Sequence, residues 1–562
     1  MMYTIKLTME DWMLNAGIIG VYNILEHAGD KVVVCDNYIE FDKECLNGFE
    51  DKYFRYFIDT YLQTLSWYKI VSYESVIDHY EQTNFQDFNE ESLDKLNGYI
   101  TNTVKYYLKS ASYKAAYDLI QLDADILELE KKLTSIKLGK KERLEDKIQE
   151  VKGNFQVLKE IIAYFNNEEA KKYLAGKNAV YTIIKNAWNG VSFLFNQTKE
   201  KDMYTDYKNY FVNPVQEYVN SDKTKFKYHC FICGNEMKDL SNDLSFLNVT
   251  GFDVARKSSH VWNFTNDVAI CGLCKLIYSC MPAGITYANN KGMFINANST
   301  MREAININNK IKADVLGKDG KEHSLNYKAL ITSIQEQFNE SFKYELSDIQ
   351  VVRYEDEKYK FNILARNILE VIFKSKGELN KLMNCGFTEV KTYFNIYDLV
   401  IESLLNNQNL TVLIHKLLIY KLSNSNDCRY SGRNLLSMLR INYNFMKEIG
   451  YMGNIDVQKS EKDIIDRASG AGYWLRQAYA GKGSVDKLNG IAYRLLNALK
   501  TNNTSMFMDT VLNCYLYTRK EVPGVFLDTL KDDEAFKHIG YAFVTGLIEG
   551  KKDENGGKDN EK

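Results

Sequence analysis

"YHCFICGNEM", residues 228–237, and "AICGLCKLIYSC", residues 269–280, decide how this chain of 562 residues is read. Each holds a C-x2-C pair, Cys230 with Cys233 and Cys271 with Cys274, and 37 residues separate the pairs. Four soft ligands in two close pairs are what a tetrahedral zinc requires, because a C-x2-C turn lets two sulfurs converge on one ion at about 2.3 Å. Gly234 follows the first pair, where such turns often need positive φ. The gap is longer than the roughly 15–20 residues of compact ribbon sites, so the insert should project as a loop or small hairpin. Three readings stay open: a structural zinc site, a redox or iron–sulfur centre, and buried cysteines with no metal. A redox C-x-x-C normally opens a helix in a βαβ context, and two facing copies are not expected of one. His229, His260 and Cys280 are spare ligands nearby. Two pairs already close a four-coordinate shell, which leaves no place for water and argues against zinc catalysis.

Working outward, the chain is too long for one core and should form several domains. Its 45% hydrophobic and 26% charged residues are those of a soluble globular protein. Only Pro214, Pro282 and Pro523 interrupt it, which favours a mainly helical chain. The formal net charge of −3 means that any nucleic-acid binding must come from local patches. The start, "MMYTIKLTMEDW", lacks the features of a secretion signal. The longest uncharged run, "LIYSCMPAGITYANN" at 276–290, is too short to span a bilayer. A soluble cytoplasmic protein is expected, and there close cysteine pairs read as metal or redox sites before disulfides. The 40 tyrosines suggest no function by themselves.

The segments divide as follows. Residues 1–115 form an α/β region in which "DWMLNAGIIGVYNILEHAG" (11–29) has helical spacing and "KVVVCDNYIEF" (31–41) looks like a strand. Residues 116–199 carry Leu122, Ile126, Leu129, Leu133 and Ile136, then Leu144, Ile148, Val151, Phe155, Leu158 and Ile162, stepping by three and four. This predicts an αα-hairpin, serving as a packing arm or as a docking arm for a partner. Residues 200–335 lose helical periodicity and form a β-rich zinc-binding module. Residues 336–429 are helical, including "FNILARNILEVIF" and "LTVLIHKLLIYKL". Residues 430–550 form a C-terminal helical bundle, and 551–562 are polar and expected to be disordered. The fold class expected is mainly α, multidomain, with a smaller β-containing zinc-binding module.

Enzymatic signatures are lacking. No His is followed by Asp, no H-E-x-x-H occurs, and "AGKGSVD" at 480–486 lacks the spacing of a phosphate loop. Glu355, Asp356 and Glu357 read as a solvated surface. Residues 421–520 carry 15 Lys and Arg against 8 Asp and Glu. If residues 428–450 are one helix, Arg429, Arg433, Arg440 and Lys447 lie within about 40° of one another. Leu435, Leu439 and Met446 then face the other way. Such a stripe either tracks a nucleic-acid backbone or is simply a solvated face. In the insert, "DVARKSSHVWNF" offers Arg256 and Lys257 to phosphates, Ser258, Ser259, His260 and Asn263 to base edges, and Trp262 as a stacking residue or wedge.

The N-terminal "DWMLNAGIIGVYNIL", the paired C-x2-C motifs and the C-terminal "GYWLRQAYAGKGSVDKLNGIAYRLLNALK…GYAFVTGLIEG" together resemble the CXXC–CXXC group of CRISPR-associated large subunits of type I-B Cascade complexes. The resemblance implies a non-catalytic subunit that recognises the protospacer-adjacent motif in target double-stranded DNA, stabilises the R-loop and recruits the helicase–nuclease. It implies crRNA and the Cascade backbone and small subunits as partners, with guide pairing reading the sequence. It also implies a small-subunit-like C-terminal domain, for which Met438, Met446 and Met452 are candidate internal starts. The alternatives are a metal-dependent nuclease with an unrecognised carboxylate site, and a protein-interaction scaffold that never touches nucleic acid.

Overall fold

The computed structural model of the chain describes residues 4–139, 142–251, 268–288, 290–297, 300–317, 349–450 and 461–549. It is mainly helical, with small antiparallel sheets. The tail read as disordered, 551–562, lies outside the described residues. The chain divides into two compact units, residues 1–325 with 350–361, and residues 326–349 with 362–562.

The first unit opens with β1 (Thr4–Thr8), β2 (Val32–Val34) and β3 (Tyr38–Asp42), ordered β1-β3-β2 and antiparallel. Ile5, Leu7, Ile39 and Phe41 are buried, while Lys6 between them is exposed, as the period-two pleat requires. The single strand expected over 31–41 is therefore two, joined by a turn in which Cys35 N donates to Tyr38 O at 2.9 Å. The helix Trp12–His27 starts at Asp11, whose carboxylate accepts from Met13 N and Leu14 N. It is buried almost all round.

This helix packs against the uncharged run noted above, which here spans the end of the helix Gly272–Ser279 and the whole of Met281–Gly284. The approach is backbone to backbone. A Cβ on Gly20 would sit 1.9 Å from Cys280 O, and one on Gly284 would sit 2.0 Å from Ala16 O. Buried polar side chains then satisfy the run's carbonyls. Ser279 O accepts from Tyr53 OH (2.9 Å) and Trp188 Nε1 (3.0 Å), and Ala283 O accepts from Asn23 Nδ2 (3.0 Å) and Tyr56 OH (3.1 Å). Lys312 Nζ also donates to Ala283 O, and Tyr61 OH donates to Ile285 O. Several of the abundant tyrosines thus supply hydroxyls to buried backbone, each leaving a large apolar ring in the core.

At the cysteine site lie β4 (Tyr228–His229) and β5 (Glu236–Met237), an antiparallel pair. The uncharged run ends in a sheet ordered β6-β7-β8-β9, with β6 (Thr286–Ala288), β7 (Lys291–Asn296), β8 (Ile349–Glu355) and β9 (Lys358–Leu364). "FNILARNILEVIF" is accordingly only partly helical. Its first four residues finish β9, beside the Val-rich β8, and a helix starts only at Arg366.

The αα-hairpin is corrected in the same way. Its second arm is the helix Leu144–Asn166, but its first is helical only over Ile126–Lys132. The following stretch is non-helical because two side-chain amides, one buried and one half-buried, hold its backbone. Asn154 bonds both N and O of Thr134 (3.2 and 2.8 Å), and Asn97 bonds both N and O of Ile136 (2.9 and 2.8 Å). Leu133 and Ile136 are still buried, so the apolar spacing marks the core without marking a helix.

In the second unit, β10 (Gly386–Glu389), β11 (Thr392–Asn395) and β12 (Cys428–Arg429) are ordered β11-β10-β12. The bundle centres on the helix Asp533–Ile548, which packs against Thr411–Ser423, Gly432–Glu448, Glu461–Gly481 and Lys487–Lys500. Gly472 and Gly546 again allow close contact: added Cβ atoms would lie 2.0 Å from Phe543 O and 1.9 Å from Ser469 O. Among the described residues no helix is long and apolar enough to cross a membrane.

Candidate metal centre

Two local structures bring the four cysteines together. The first pair lies in the turn between β4 and β5. Cys230 N donates to Asn235 O at 2.8 Å, and Gly234 N donates to Cys230 O at 2.9 Å. Gly234 adopts φ +68°, the conformation its place after Cys233 suggests. The second pair opens a helix: Cys271 is the N-cap of Gly272–Ser279, and Cys274 lies in its first turn. Phe231 N donates to Ala269 O at 2.9 Å, which fastens the turn to the segment that leads into the second pair.

The four sulfurs lie within 4.8 Å of one another, and Cys233 Sγ is 3.7 Å from Cys271 Sγ. A tetrahedral ion with bonds of about 2.3 Å would place sulfurs about 3.8 Å apart. A disulfide needs about 2.05 Å. Backbone amides already point at the sulfurs: Cys271 N donates to Cys230 Sγ (3.3 Å) and Cys274 N to Cys271 Sγ (3.4 Å). Asn235 Nδ2 donates to Cys233 Sγ at 3.3 Å. Such donors and a helix N-terminus stabilise thiolates, the form that binds metal. The thiols perturb each other strongly. Hydrogen bonding from Cys233 and then from the second pair pushes Cys230 down. Cys233 also falls: Cys230 raises it, but Cys271 and Cys274 outweigh that. Cys271 and Cys274 are pushed up, first by Cys230 and then by Cys233.

These donors fit a metal ion such as zinc. Cys230, Cys271 and Cys274 are 2–3% exposed, whereas exchange-active thiols are partly open to solvent, so burial weighs against the redox reading even though the second pair opens a helix. Sulfurs this close could share a single ion. Cys280 and His229 stand outside the group. Burial raises the Cys280 thiol to about 12, against opposing hydrogen bonds from Ser279 and Tyr207, and His229 Nδ1 lies 3.2 Å from Gly234 O. Lys275, next to Cys274, has its ammonium 3.6 Å over the Tyr210 ring; burial lowers it to about 8.

The expected nucleic-acid residues fare differently. Arg256, Lys257, Ser258, Ser259, His260, Trp262 and Asn263 lie outside the described residues. The single helix over 428–450 is corrected, because helix starts only at Gly432. Arg429 lies in β12, paired with Gly386 and 5.6 Å over the Tyr393 ring. Arg433 and Lys447 are exposed on the helix. Arg440 is turned into the fold, 18% exposed, between Glu378 (3.7 Å) and Asp466. Leu435, Leu439 and Met446 are buried, as the stripe requires. The sequence reading missed the tyrosine-satisfied run and the exposed Trp474; abundant Tyr beside a long uncharged segment was the available signal for the first.

No curated protein and no solved structure matches the chain. Residues 223–286, which carry all four cysteines, match the model of a CRISPR-associated protein family, Cas_CXXC_CXXC, and that match supports a CRISPR-associated protein with a paired C-x2-C motif.

Proposed function

We propose that the chain is the non-catalytic large subunit of a type I-B Cascade complex. In this reading it recognises the protospacer-adjacent motif, stabilises the R-loop and recruits the helicase–nuclease. One observation carries the proposal: four thiols converge within the stretch that matches a CRISPR-associated family. The ion is zinc and its role is structural. Zinc ties the turn of β4 and β5 to the helix Gly272–Ser279, which itself is pressed against Trp12–His27. Both ends of the insert are thereby anchored, and its Arg256, Lys257, Ser258, Ser259, His260 and Asn263 meet the duplex beside the motif. Arg429, Arg433 and Lys447 contact backbone phosphates, whereas Arg440 serves the fold. Target sequence is read by the crRNA, and the protein reads the short motif and the backbone.

The test is assembly of the complex with crRNA, with and without this chain, followed by binding to a matched duplex over a range of salt. The complex should need the chain and the motif. Reversing Arg256 and Lys257 should weaken binding and flatten the salt dependence by about 0.9 per lost phosphate contact. Equal binding without the chain would sink the proposal in favour of a scaffold. Cleavage of DNA by the chain with Mg²⁺ or Mn²⁺, abolished by one acidic substitution, would sink it in favour of a nuclease.

A further inference from the structure

The second unit has a groove of about 670 Å³ between the helix Glu461–Gly481 and the end of Thr504–Thr518, lined by Ala471, Trp474, Leu475, Ala478, Tyr515 and Pro523. Trp474 is 70% exposed at its rim. Trp67 and Trp188 are buried and Trp12 is half-buried against Tyr359 and Phe361, so among the described residues Trp474 is the tryptophan left in water.

Lys520 lines the same groove as this indole. Eight residues on from Trp474, or about 12 Å along a helix, Lys482 donates to Tyr517 O and holds its ammonium 4.8 Å from the Tyr517 ring centroid. Lys487 approaches the same ring at 5.2 Å. Tyr517 is 40% exposed. Its phenol is held below the usual range by a hydrogen bond with Ser484 and by the two ammonium groups. Arg519, in the left-handed conformation (φ 54°), and Lys520 continue the exposed surface. Among the described residues none of these four cations forms an ion pair with a carboxylate, in contrast to Arg440, Lys374, Lys531 and Lys537 of the same unit. The acidic groups close by are Asp486, next to Lys487, and Glu521 in the groove.

An open aromatic face beside unpaired cations matches a ligand with flat apolar rings along a polyanionic chain. We propose that this surface binds single-stranded nucleic acid, with one base stacked on Trp474 in the groove and the neighbouring phosphates on Lys482, Lys487, Arg519 and Lys520. The lining is mostly apolar, so the stacking is without sequence preference. The inference rests on the proposed function only in taking nucleic acid as the chain's partner.

The test uses the full-length chain and a fluorescein-labelled oligo-dT followed by anisotropy. The wild type should bind more tightly at low salt. Trp474→Ala should weaken binding on the order of ten-fold, the scale of one lost base stack, and Trp474→Phe should restore most of it. Reversing Lys482 and Lys487 to Glu should lower the salt slope by about 1.4, at roughly 0.7 per contact on a single strand. Trp474 is exposed, so its variants should keep the wild-type melting temperature. Affinity unchanged in both the Trp474→Ala and the charge-reversed chains would overturn the inference, and so would no oligo-dT binding by the wild type. If Trp474→Ala instead blocks only the joining of protein subunits, the groove belongs to a protein partner and the inference also fails. Normal oligo-dT binding with no crRNA-directed duplex binding by the complex would overturn the proposed function alone.

Discussion

Gly20→Ala probes the contact that positions the second cysteine pair. The added Cβ would stand 1.9 Å from Cys280 O and 2.8 Å from its carbonyl carbon, against an ordinary separation of about 3.5 Å. The obstacle is backbone, not the end of a flexible side chain. The carbonyls on either side are fixed by Tyr53, Trp188, Tyr56 and Asn23, so the helices must part by more than about 1 Å. Overpacking of this kind costs about 3 kcal/mol at the upper end of its usual range. Replacing a helical Gly by Ala returns about 1 kcal/mol. The net loss is about 2 kcal/mol, or about 3 °C in the melting temperature of a unit of this size. Gly153→Ala is the control. It lies exposed in the helix Leu144–Asn166 with nothing within 4 Å of an added Cβ, and should gain about 1 kcal/mol. Thermal unfolding followed by circular dichroism reads both variants. Equal melting temperatures for Gly20→Ala and Gly153→Ala would refute the reasoning, because propensity is common to both and only the contact differs.

Three further outcomes are expected. His538 is buried, its Nδ1 donating to Glu534 O and its Nε2 accepting from Asn442 Nδ2; burial holds it below the ordinary 6.5, against small opposing contributions from Glu534 and Asp532. The unfolded chain therefore takes up this proton first, so the second unit keeps its full stability above about pH 6.5 and loses it as pH falls through the depressed folded value. His538→Gln should flatten the pH dependence of melting, and an unaltered profile would reject this. Arg440→Ala should destabilise the second unit by about 1–3 kcal/mol, because it strips a partly buried pair from Glu378 and Asp466. Arg433→Ala, on an exposed position, should change urea stability by less than about 0.5 kcal/mol.

Local patterns were legible where local physics decides the structure. Close C-x2-C spacing predicted convergence of the four cysteines, and apolar spacing found the helix Trp12–His27 and the buried positions Leu133 and Ile136. What escaped was set by partners distant in sequence. Arg429 leaves the helix because β12 pairs with β10, over 40 residues earlier. Residues 133–137 leave their helical spacing because Asn97 and Asn154 bond their backbone. The burial of Arg440 depends on Glu378 and Asp466, which no window around residue 440 contains. The basic stripe was thus correct about its apolar side and incomplete about its charged one.

The most direct measurement is the metal content of the purified, reduced chain by elemental analysis, with a titration of thiols before and after the ion is removed. The account predicts one zinc per chain, lost in Cys230→Ser, with four thiols becoming reactive as the ion leaves and the segment around β4 and β5 losing protection from hydrogen exchange. A folded chain that carries no metal, with Cys230, Cys233, Cys271 and Cys274 freely titratable, would contradict it.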